Sequence, residues 1–263
     1  MDKNTNDKSS VRSVQRAVDI LEALKDKIPE KTVTELSREL GLSPTTIYRL
    51  LGTLKERGFI EKDANTAKYR LGMKAFELGS AVVRRMNIRK EAEPILMELA
   101  EKTGDSAYLI VPYQDEALCL ERIDGDNYLK SLSLVLGDRM PLHIGAGPRV
   151  LLAHLPESEI DRIIASKGLA RWTDKTITDP FILKEDLRQV REQGYALSLE
   201  DANKGVAAIG CPVRDRTGKV VASISVGGPS IYFEPESVDK MVPLIKKAAE
   251  NLSRRLGYGV NQE

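Results

Sequence analysis

The stretch that most restricts how this chain can fold is GLSPTTIYRLLGTLKERGF, residues 41–59. Ser43 suits the N-cap position of a helix, and Pro44 stands in the first turn, where a helix tolerates proline. Apolar residues follow at helical spacing: Ile47, Leu50, Leu51 and Leu54. The spacing predicts a helix with one buried stripe, which ends near Gly58.

The segment before residue 41 predicts another helix, which ends just before the helix that starts at Ser43. Thr32 and Glu35 have the spacing of a capping box, in which each side chain satisfies a backbone N–H of the other residue. Leu36 and Leu40 face inward, and Gly41 suits the left-handed residue that closes a helix. The two helices and their short turn predict a helix-turn-helix.

The outer face of the helix after Ser43 suits a groove of DNA better than open water. The face carries neither lysine nor glutamate, and it is formed by Thr45, Tyr48, Arg49 and Gly52. Arg49 can reach a base edge or a phosphate, and Thr45 and Thr46 lie in the first turn, where free amides meet phosphates or bases. We expect Ser43 to cap this recognition helix and the side chains of Thr45, Thr46, Tyr48 and Arg49 to face DNA.

Two short segments, FIEKD and KYRLG, follow around DANTA and predict a hairpin. Three helices and a hairpin have the order of a winged helix-turn-helix. The wing would bring Lys62, Lys68 and Arg70 to the DNA backbone.

Residues on both sides of this motif also have helical patterns. Ser13 can cap a first helix, and its apolar stripe would be Val14, Ala17, Val18, Leu21 and Leu24. Residues 74–86 predict a strongly apolar linker helix, whose stripe would pack against another surface such as a second copy of the chain.

Charge is distributed unevenly. Residues 1–90 carry 19 Lys and Arg against 12 Asp and Glu, a net charge of +7, whereas residues 91–263 carry 21 against 27, a net charge of −6. A basic front part suggests that only this part meets a polyanion. Two cysteines, no signal sequence and no long apolar run predict a cytoplasmic protein without a membrane span, and residues 1–10 predict a disordered tail.

The remainder alternates helical and strand patterns. Strands are predicted at SAYLIVPY, ALCLERI, YLKSLSLV, YALSLE, VAAIGCPV and VVASISVGG. Short turns between consecutive strands imply an antiparallel sheet with helices packed against it, so the fold class is α+β.

Several motifs together resemble the IclR family of bacterial transcriptional regulators. They are SVQRAVDILEAL, ELGLSPTTIYRLLGTLKERGFIEKD, YRLG, EPILMELAEKTGDSAYL, LKEDLRQVREQGYAL and GKVVASISVGGP. The resemblance implies a winged helix-turn-helix at 11–73, a linker helix at 74–90 and, at 91–258, a GAF/profilin-like α/β effector-binding domain. It also implies dimers or dimers of dimers that bind operator DNA and control catabolic operons in response to small organic or aromatic acids.

The resemblance also implies an effector pocket. Where the family has a loop of the type xHxxGAGK, this chain has LHIGAGPR, and the matching positions are Ala146 and Gly147. Pro148 removes one N–H at that helix start, and Arg149 replaces the usual lysine. The remaining pocket positions implied by the family are Ser198, Ala208, Ser225 and Gly227. Because Ala208 and Gly227 offer no side-chain hydrogen bond, we expect a roomy, apolar pocket that suits a larger or aromatic acid.

Two other classes of function stay open at this stage. The chain can be a metabolite-binding module whose helix-turn-helix serves protein association. It can also be a hydrolase that uses Cys211 with His143 or His154, although no Asp or Asn is placed to orient either histidine. We predict no catalytic site, no metal site and no cofactor.

Overall fold

The computed structural model describes residues 11–25, 30–83, 87–127 and 134–259. The chain divides into two compact units, residues 1–86 and 87–263. The predicted tail at 1–10 lies outside the described residues, as does most of the strand predicted at YLKSLSLV. Within the described part, no helix is long and apolar enough to span a membrane.

The first unit contains three helices, a hairpin and a fourth helix. Its elements are α1 (Arg12–Ala23), α2 (Val33–Leu40), α3 (Pro44–Glu56), β1 (Ile60–Lys62), β2 (Tyr69–Leu71) and α4 (Met73–Val83). The two strands pair antiparallel, and Lys31 forms an isolated bridge with Tyr69 beside them. This order is that of the predicted winged helix-turn-helix.

Local capping in this unit agrees with the sequence pattern. The Thr32 hydroxyl accepts a hydrogen bond from the Glu35 amide, and the Glu35 carboxylate accepts one from the Thr32 amide at 2.7 Å. Gly41 closes α2 in the left-handed conformation, with φ of 62°. The Ser43 hydroxyl accepts from the Thr46 amide at 3.2 Å, and Pro44 is the first residue of α3. Both predicted helix starts are confirmed.

The prediction for α1 is wrong in two respects. The helix begins at Arg12 after an N-cap residue, Val11, that makes no side-chain cap, so Ser13 lies within the first turn. Val14 and Val18 are exposed, and the buried residues of this segment are Ile20, Ala23 and Leu24. Three of the five predicted stripe residues do contact the core of the unit: Leu24 lies in it, and Ala17 and Leu21 pack against it.

The linker region is described as two helical segments. The first is α4, and the next helix begins at Asn87; residues 84–86 between them lie outside the described part. Met73, Phe76 and Leu78 on α4 are exposed.

The second unit contains a sheet and the helices that cover it. Its helices are α5 (Asn87–Thr103), α6 (Ala146–Ala153), α7 (Glu157–Lys167), α8 (Pro180–Gln193) and α9 (Pro235–Arg255), with a short 3₁₀ turn at Ser230–Tyr232. Its strands are β3 (Ser106–Tyr113), β4 (Glu116–Ile123), β5 (Arg139–Pro141), β6 (Ala196–Leu199), β7 (Val206–Arg214) and β8 (Val220–Pro229). The strand order among these residues is β5-β4-β3-β8-β7-β6, and every pair is antiparallel, as predicted. The sequence reading did not include β5.

The sheet has one helical layer on each face. Helices α5 and α9 pack on one face, and α6, with α8 beside it, packs on the other. Alternation along β3 shows this arrangement: Ile110 lies against α6, whereas Leu109 is paired with Glu121, whose carboxylate bonds to Arg89 of α5 at 2.6 Å. We call the side covered by α6 the α6 face.

Candidate DNA interface and effector site

Helix α3 presents its polar side to solvent because its apolar side is completely used in the core. Ile47 and Leu51 are fully buried, and Leu54 is nearly so. On the opposite side Thr45, Arg49 and Gly52 are exposed, and Tyr48 is 61% exposed. A Cβ added at Gly52 would meet no atom within 4 Å, so the surface there is open. Thr46 is half-buried, with its hydroxyl 2.8 Å from that of Ser43.

The wing is held in shape by Asp63 at its tip. The Asp63 carboxylate accepts hydrogen bonds from the Thr66 and Asn65 amides, both at 2.8 Å, and these bonds lower its pKa. Lys62 is exposed, with its ammonium 5.5 Å from the centre of the Tyr69 ring.

The other two basic residues of the wing are less free than expected. Lys68 is half-buried. Arg70 is exposed, but its guanidinium lies 3.4 Å from Glu30 and 3.3 Å from Glu61. Binding of a phosphate by Arg70 would therefore replace two surface ion pairs, a small loss.

An open groove of about 500 Å³ lies next to the wing, in the same unit. Four basic residues from the end of α3, from β1 and from the start of α4 line it together with Glu61 and Glu77: Lys55, Arg57, Lys62 and Lys74. The sequence reading did not include Lys55, Arg57 or Lys74 among the DNA-facing residues. The sequence indicated these three residues only through the local excess of positive charge, and net charge does not show which basic side chains share a surface.

In the second unit, α6 lies very close to the sheet because glycines meet at the contact. A Cβ on Gly210 of β7 would come within 2.9 Å of the Gly147 amide nitrogen, and a Cβ on Gly147 would collide with Ile110. The Ser223 hydroxyl donates to the Gly147 carbonyl at 3.0 Å. The first amides of α6, those of Ala146 and Gly147, have no hydrogen-bond acceptor among the described residues. Free amides at the positive end of a helix suit an anion.

The other pocket positions lie on the same face of the sheet. Ser198 of β6 is paired with Ala208 of β7, which is paired with Gly227 of β8. Ser225 is two residues before Gly227, and it is paired with Gly210 under the start of α6. The structure therefore brings Ala146, Gly147, Ser198, Ala208, Ser225 and Gly227 to the α6 face.

A buried charged cluster stands behind this site, and sequence reasoning found only part of it. The Arg149 guanidinium bonds to Asp186 of α8 at 3.1 Å and lies 3.5 Å from Asp201. Asp201 also accepts from the Gly145 amide at 3.2 Å and bonds to the Ser198 hydroxyl. Asp201 thus brings a carboxylate next to the Ser198 hydroxyl. Nothing in the local pattern around Asp201 indicated this role.

The cysteine-hydrolase alternative fails on geometry. Cys211 lies on β7 between Gly210 and Pro212, and so it faces α5 and α9, on the opposite side from His143 and α6. Burial raises the pKa of the Cys211 thiol to about 12, which disfavours a nucleophilic thiolate. His143 bonds to the Ala170 carbonyl and His154 to that of Val150, so each ring is held by backbone.

Comparison with known proteins agrees with both halves of this description. Residues 13–64 match the family model described as the IclR helix-turn-helix domain, and residues 80–254 match that of the bacterial transcriptional regulator IclR C-terminal. The HTH-type transcriptional regulator BhcR of Paracoccus denitrificans is 35% identical over 247 residues, which cover 94% of this chain and 88% of that protein.

Solved structures show the same fold over nearly the full length. The IclR of Thermotoga maritima is 30% identical, with a TM-score of 0.77 over 94% of this chain and 99% of that one. An IclR homolog of Microbacterium hydrocarbonoxydans, solved in complex with 4-hydroxybenzoate, is 26% identical, with a TM-score of 0.80 over 93% and 98% of the two chains.

Proposed function

Because the chain belongs to the IclR family of bacterial transcriptional regulators, we propose that α3 and the wing bind operator DNA and that an organic acid at the start of α6 controls a catabolic operon. The chain is a ligand-responsive DNA-binding regulator and not an enzyme. The catabolic type of operon, the class of the effector and the assembly are proposals. The bacterial cytoplasm, where operator DNA lies, is the proposed location.

The observation that carries the DNA interface is the exposed polar side of α3. Its apolar side is seated in the core, so the outward face is fixed and holds hydroxyls, one guanidinium and a glycine. The N-terminal residues of such a helix enter the major groove. Thr45, Thr46, Tyr48 and Arg49 would then read bases or nearby phosphates, while Lys62, Lys68 and Arg70 hold the backbone.

A mobility-shift assay with the promoter region upstream of the chain's own gene tests this proposal. Replacement of Arg49 by Ala should weaken binding by roughly tenfold to a hundredfold, because one guanidinium contact to a base is lost. Arg188→Ala removes an equally exposed guanidinium from α8 in the second unit and should leave affinity unchanged. Equal affinity of Arg49→Ala and wild type would contradict the interface.

The salt dependence of binding separates this function from protein association. Contacts to phosphates release counterions, so the affinity for promoter DNA should fall steeply between low and moderate salt. Wild-type protein that is folded and self-associated but does not bind promoter DNA would favour the alternative, in which the helix-turn-helix contacts another protein.

The effector is proposed to bind with its carboxylate at the Ala146 and Gly147 amides. Asp201 is close by and would repel an anion, and Arg149, which lies 3.5 Å from Asp201 and also pairs with Asp186, offsets part of that repulsion. Titration calorimetry with 4-hydroxybenzoate, pentanoate and glyoxylate tests the expected size class. Binding of glyoxylate alone would contradict a larger or aromatic acid.

We also propose that the chain forms dimers, or dimers of dimers, through the first unit. The exposed apolar residues of α4 are the support for this assembly, because a chain seldom leaves Met73, Phe76 and Leu78 in water on one short helix. A dimer would place two copies of α3 on a two-fold symmetric operator.

A further inference from the structure

Tyr108 of β3 lies on the α6 face, in the row of residues that runs under the start of α6. It is directly opposite Ser225 of β8, and Ser225 is directly opposite Gly210 of β7. Gly210 is the residue over which the Gly147 amide lies. Two strand spacings, about 10 Å, therefore separate the backbone of Tyr108 from the proposed carboxylate site.

The hydroxyl of Tyr108 is buried without a hydrogen-bond partner. The side chain is 4% exposed, and its oxygen has no partner among the described residues. The nearby Ser106 hydroxyl donates to Asp124 at 3.0 Å, and although it is close enough to lower the pKa of Tyr108, it makes no hydrogen bond of normal geometry with the phenol. A buried, unpaired hydroxyl costs free energy, so its retention needs an explanation.

The surroundings of Tyr108 hold its ring in place. The Arg122 guanidinium lies 5.6 Å from the ring centre, and it is itself held by Asp124 at 2.7 Å. Gly227 is also close, because an added Cβ there would lie 3.5 Å from the ring. Gly227 is in the same row as Ala208 and Ser198, so the phenol lies beside the pocket positions that the family implies.

Burial also keeps the phenol protonated. It raises the pKa of Tyr108, and the positive charge of Arg122 and the neighbouring Ser106 oppose the rise only in part. At neutral pH the group is therefore a hydrogen-bond donor, and it suits a neutral or anionic oxygen acceptor.

We propose that the Tyr108 hydroxyl donates a hydrogen bond to an oxygen at the end of the effector remote from its carboxylate. The inference rests on the effector site proposed above, and it narrows the effector to organic acids that carry a hydroxyl or oxo oxygen several atoms from the carboxylate. Tyr108 is then the residue that distinguishes these acids from their unsubstituted counterparts, because the unsubstituted acids leave the donor unpaired.

Calorimetry with matched pairs of acids tests the inference on the full-length protein. The probes are 4-hydroxybenzoate against benzoate, and levulinate against pentanoate. In at least one pair, wild-type protein should prefer the oxygenated acid, and Tyr108→Phe should weaken its binding by roughly tenfold without changing that of the unsubstituted acid. Tyr113→Phe removes the same atom from the exposed end of β3 and is the matched control.

A second measurement does not need an effector. Since the hydroxyl has no partner, the melting temperature of ligand-free Tyr108→Phe should equal or exceed that of the wild type. A decrease of several degrees would show a structural partner for the hydroxyl and would overturn the inference.

The outcomes separate this inference from the proposal on which it rests. If the acids bind but neither pair shows a preference for its oxygenated member that Tyr108→Phe abolishes, the Tyr108 inference is overturned and the effector site stands. If none of the four acids binds to wild-type protein, the effector class itself is overturned, and the inference with it.

Discussion

At the scale of single residues, Asp201 does the most to shape the effector site. Its two carboxylate oxygens bond to the Gly145 amide and to the Ser198 hydroxyl, and Arg149 lies beside it. Ser198 therefore faces an effector with its proton already donated, so it can act mainly as an acceptor. This leaves the amides of Ala146 and Gly147 as the donors for an anion.

The same cluster predicts a pH-dependent effect of Arg149→Met. The change leaves the buried Asp201 and the half-buried Asp186 without their cation, and it should lower the free energy of unfolding by about 3–5 kcal/mol near pH 7. Chemical denaturation followed by circular dichroism measures the loss.

The loss should shrink in acid. Burial holds the pKa of Asp186 above its ordinary value of 3.8, and Arg149 opposes that rise, so removal of Arg149 raises the pKa further. A group with a raised folded-state pKa contributes stability that is complete below the unfolded pKa and is lost as pH rises through the folded one. Arg149→Met should therefore be closer to wild type near pH 5 than near pH 7. The exposed Arg188→Met is the control, and a loss that does not vary with pH would contradict this account.

At the scale of elements, the start and the buried side of α3 favour a helix, and Gly52 is the exception. Ser43 and Pro44 define its start, and Ile47 and Leu51 define its buried side. Gly52 lies on the exposed side, and it is unfavourable in a helix. This cost in helix propensity falls where DNA is expected to approach, and a residue without a side chain leaves the most space for DNA there.

Replacement of Gly52 by Ala should separate stability from binding. Because the added methyl group meets no atom of the chain, the substitution should stabilise the protein by about 1 kcal/mol through helix propensity alone. Its affinity for promoter DNA should fall, since the methyl group occupies space at the interface. Thermal unfolding and mobility shift measure the two effects.

Thr53→Ala is the control for this experiment. It also raises helix propensity at the adjacent exposed position, but it removes atoms from the surface. It should leave promoter binding unchanged. Unaltered binding by Gly52→Ala would show that DNA does not approach α3 at this point.

At the scale of the whole molecule, the exposed apolar residues of α4 predict self-association. Phe76 is 67% exposed in the single chain, and burial of such a side chain contributes about 1.5–3 kcal/mol. Phe76→Glu should convert the assembly to monomers in sedimentation velocity. Its affinity for a two-half-site promoter should fall as well, because the two copies of α3 are no longer linked.

Phe181→Glu places the same charge on an equally exposed position of α8, where Phe181 is 81% exposed. This variant should keep at least the dimer. A Phe76→Glu protein that sediments like the wild type would rule out α4 as the dimer contact.

The sequence predicted a feature correctly when that feature depends on residues close together in the chain. The capping box at Thr32 and the start of α3 at Ser43 depend on residues three positions apart, and both were predicted correctly. The α1 stripe was correct at Ala17, Leu21 and Leu24, which contact the core, and wrong at Val14 and Val18, which are exposed. Periodicity shows which residues share a side of a helix, and it does not show how much of that side the neighbouring elements cover.

The sequence by itself determined the order of the elements in the first unit, the two faces of α3 and, through resemblance, the family. Local spacing and motifs are enough to specify those properties. Only the tertiary structure decided that Asp201 meets Ser198 and Arg149, that Cys211 is turned away from His143, and that Tyr108 lies in the row beneath α6. These relations depend on strand register and on helix-to-sheet packing between residues far apart in the chain, and a one-residue shift of register would have placed Cys211 and Tyr108 on the opposite faces.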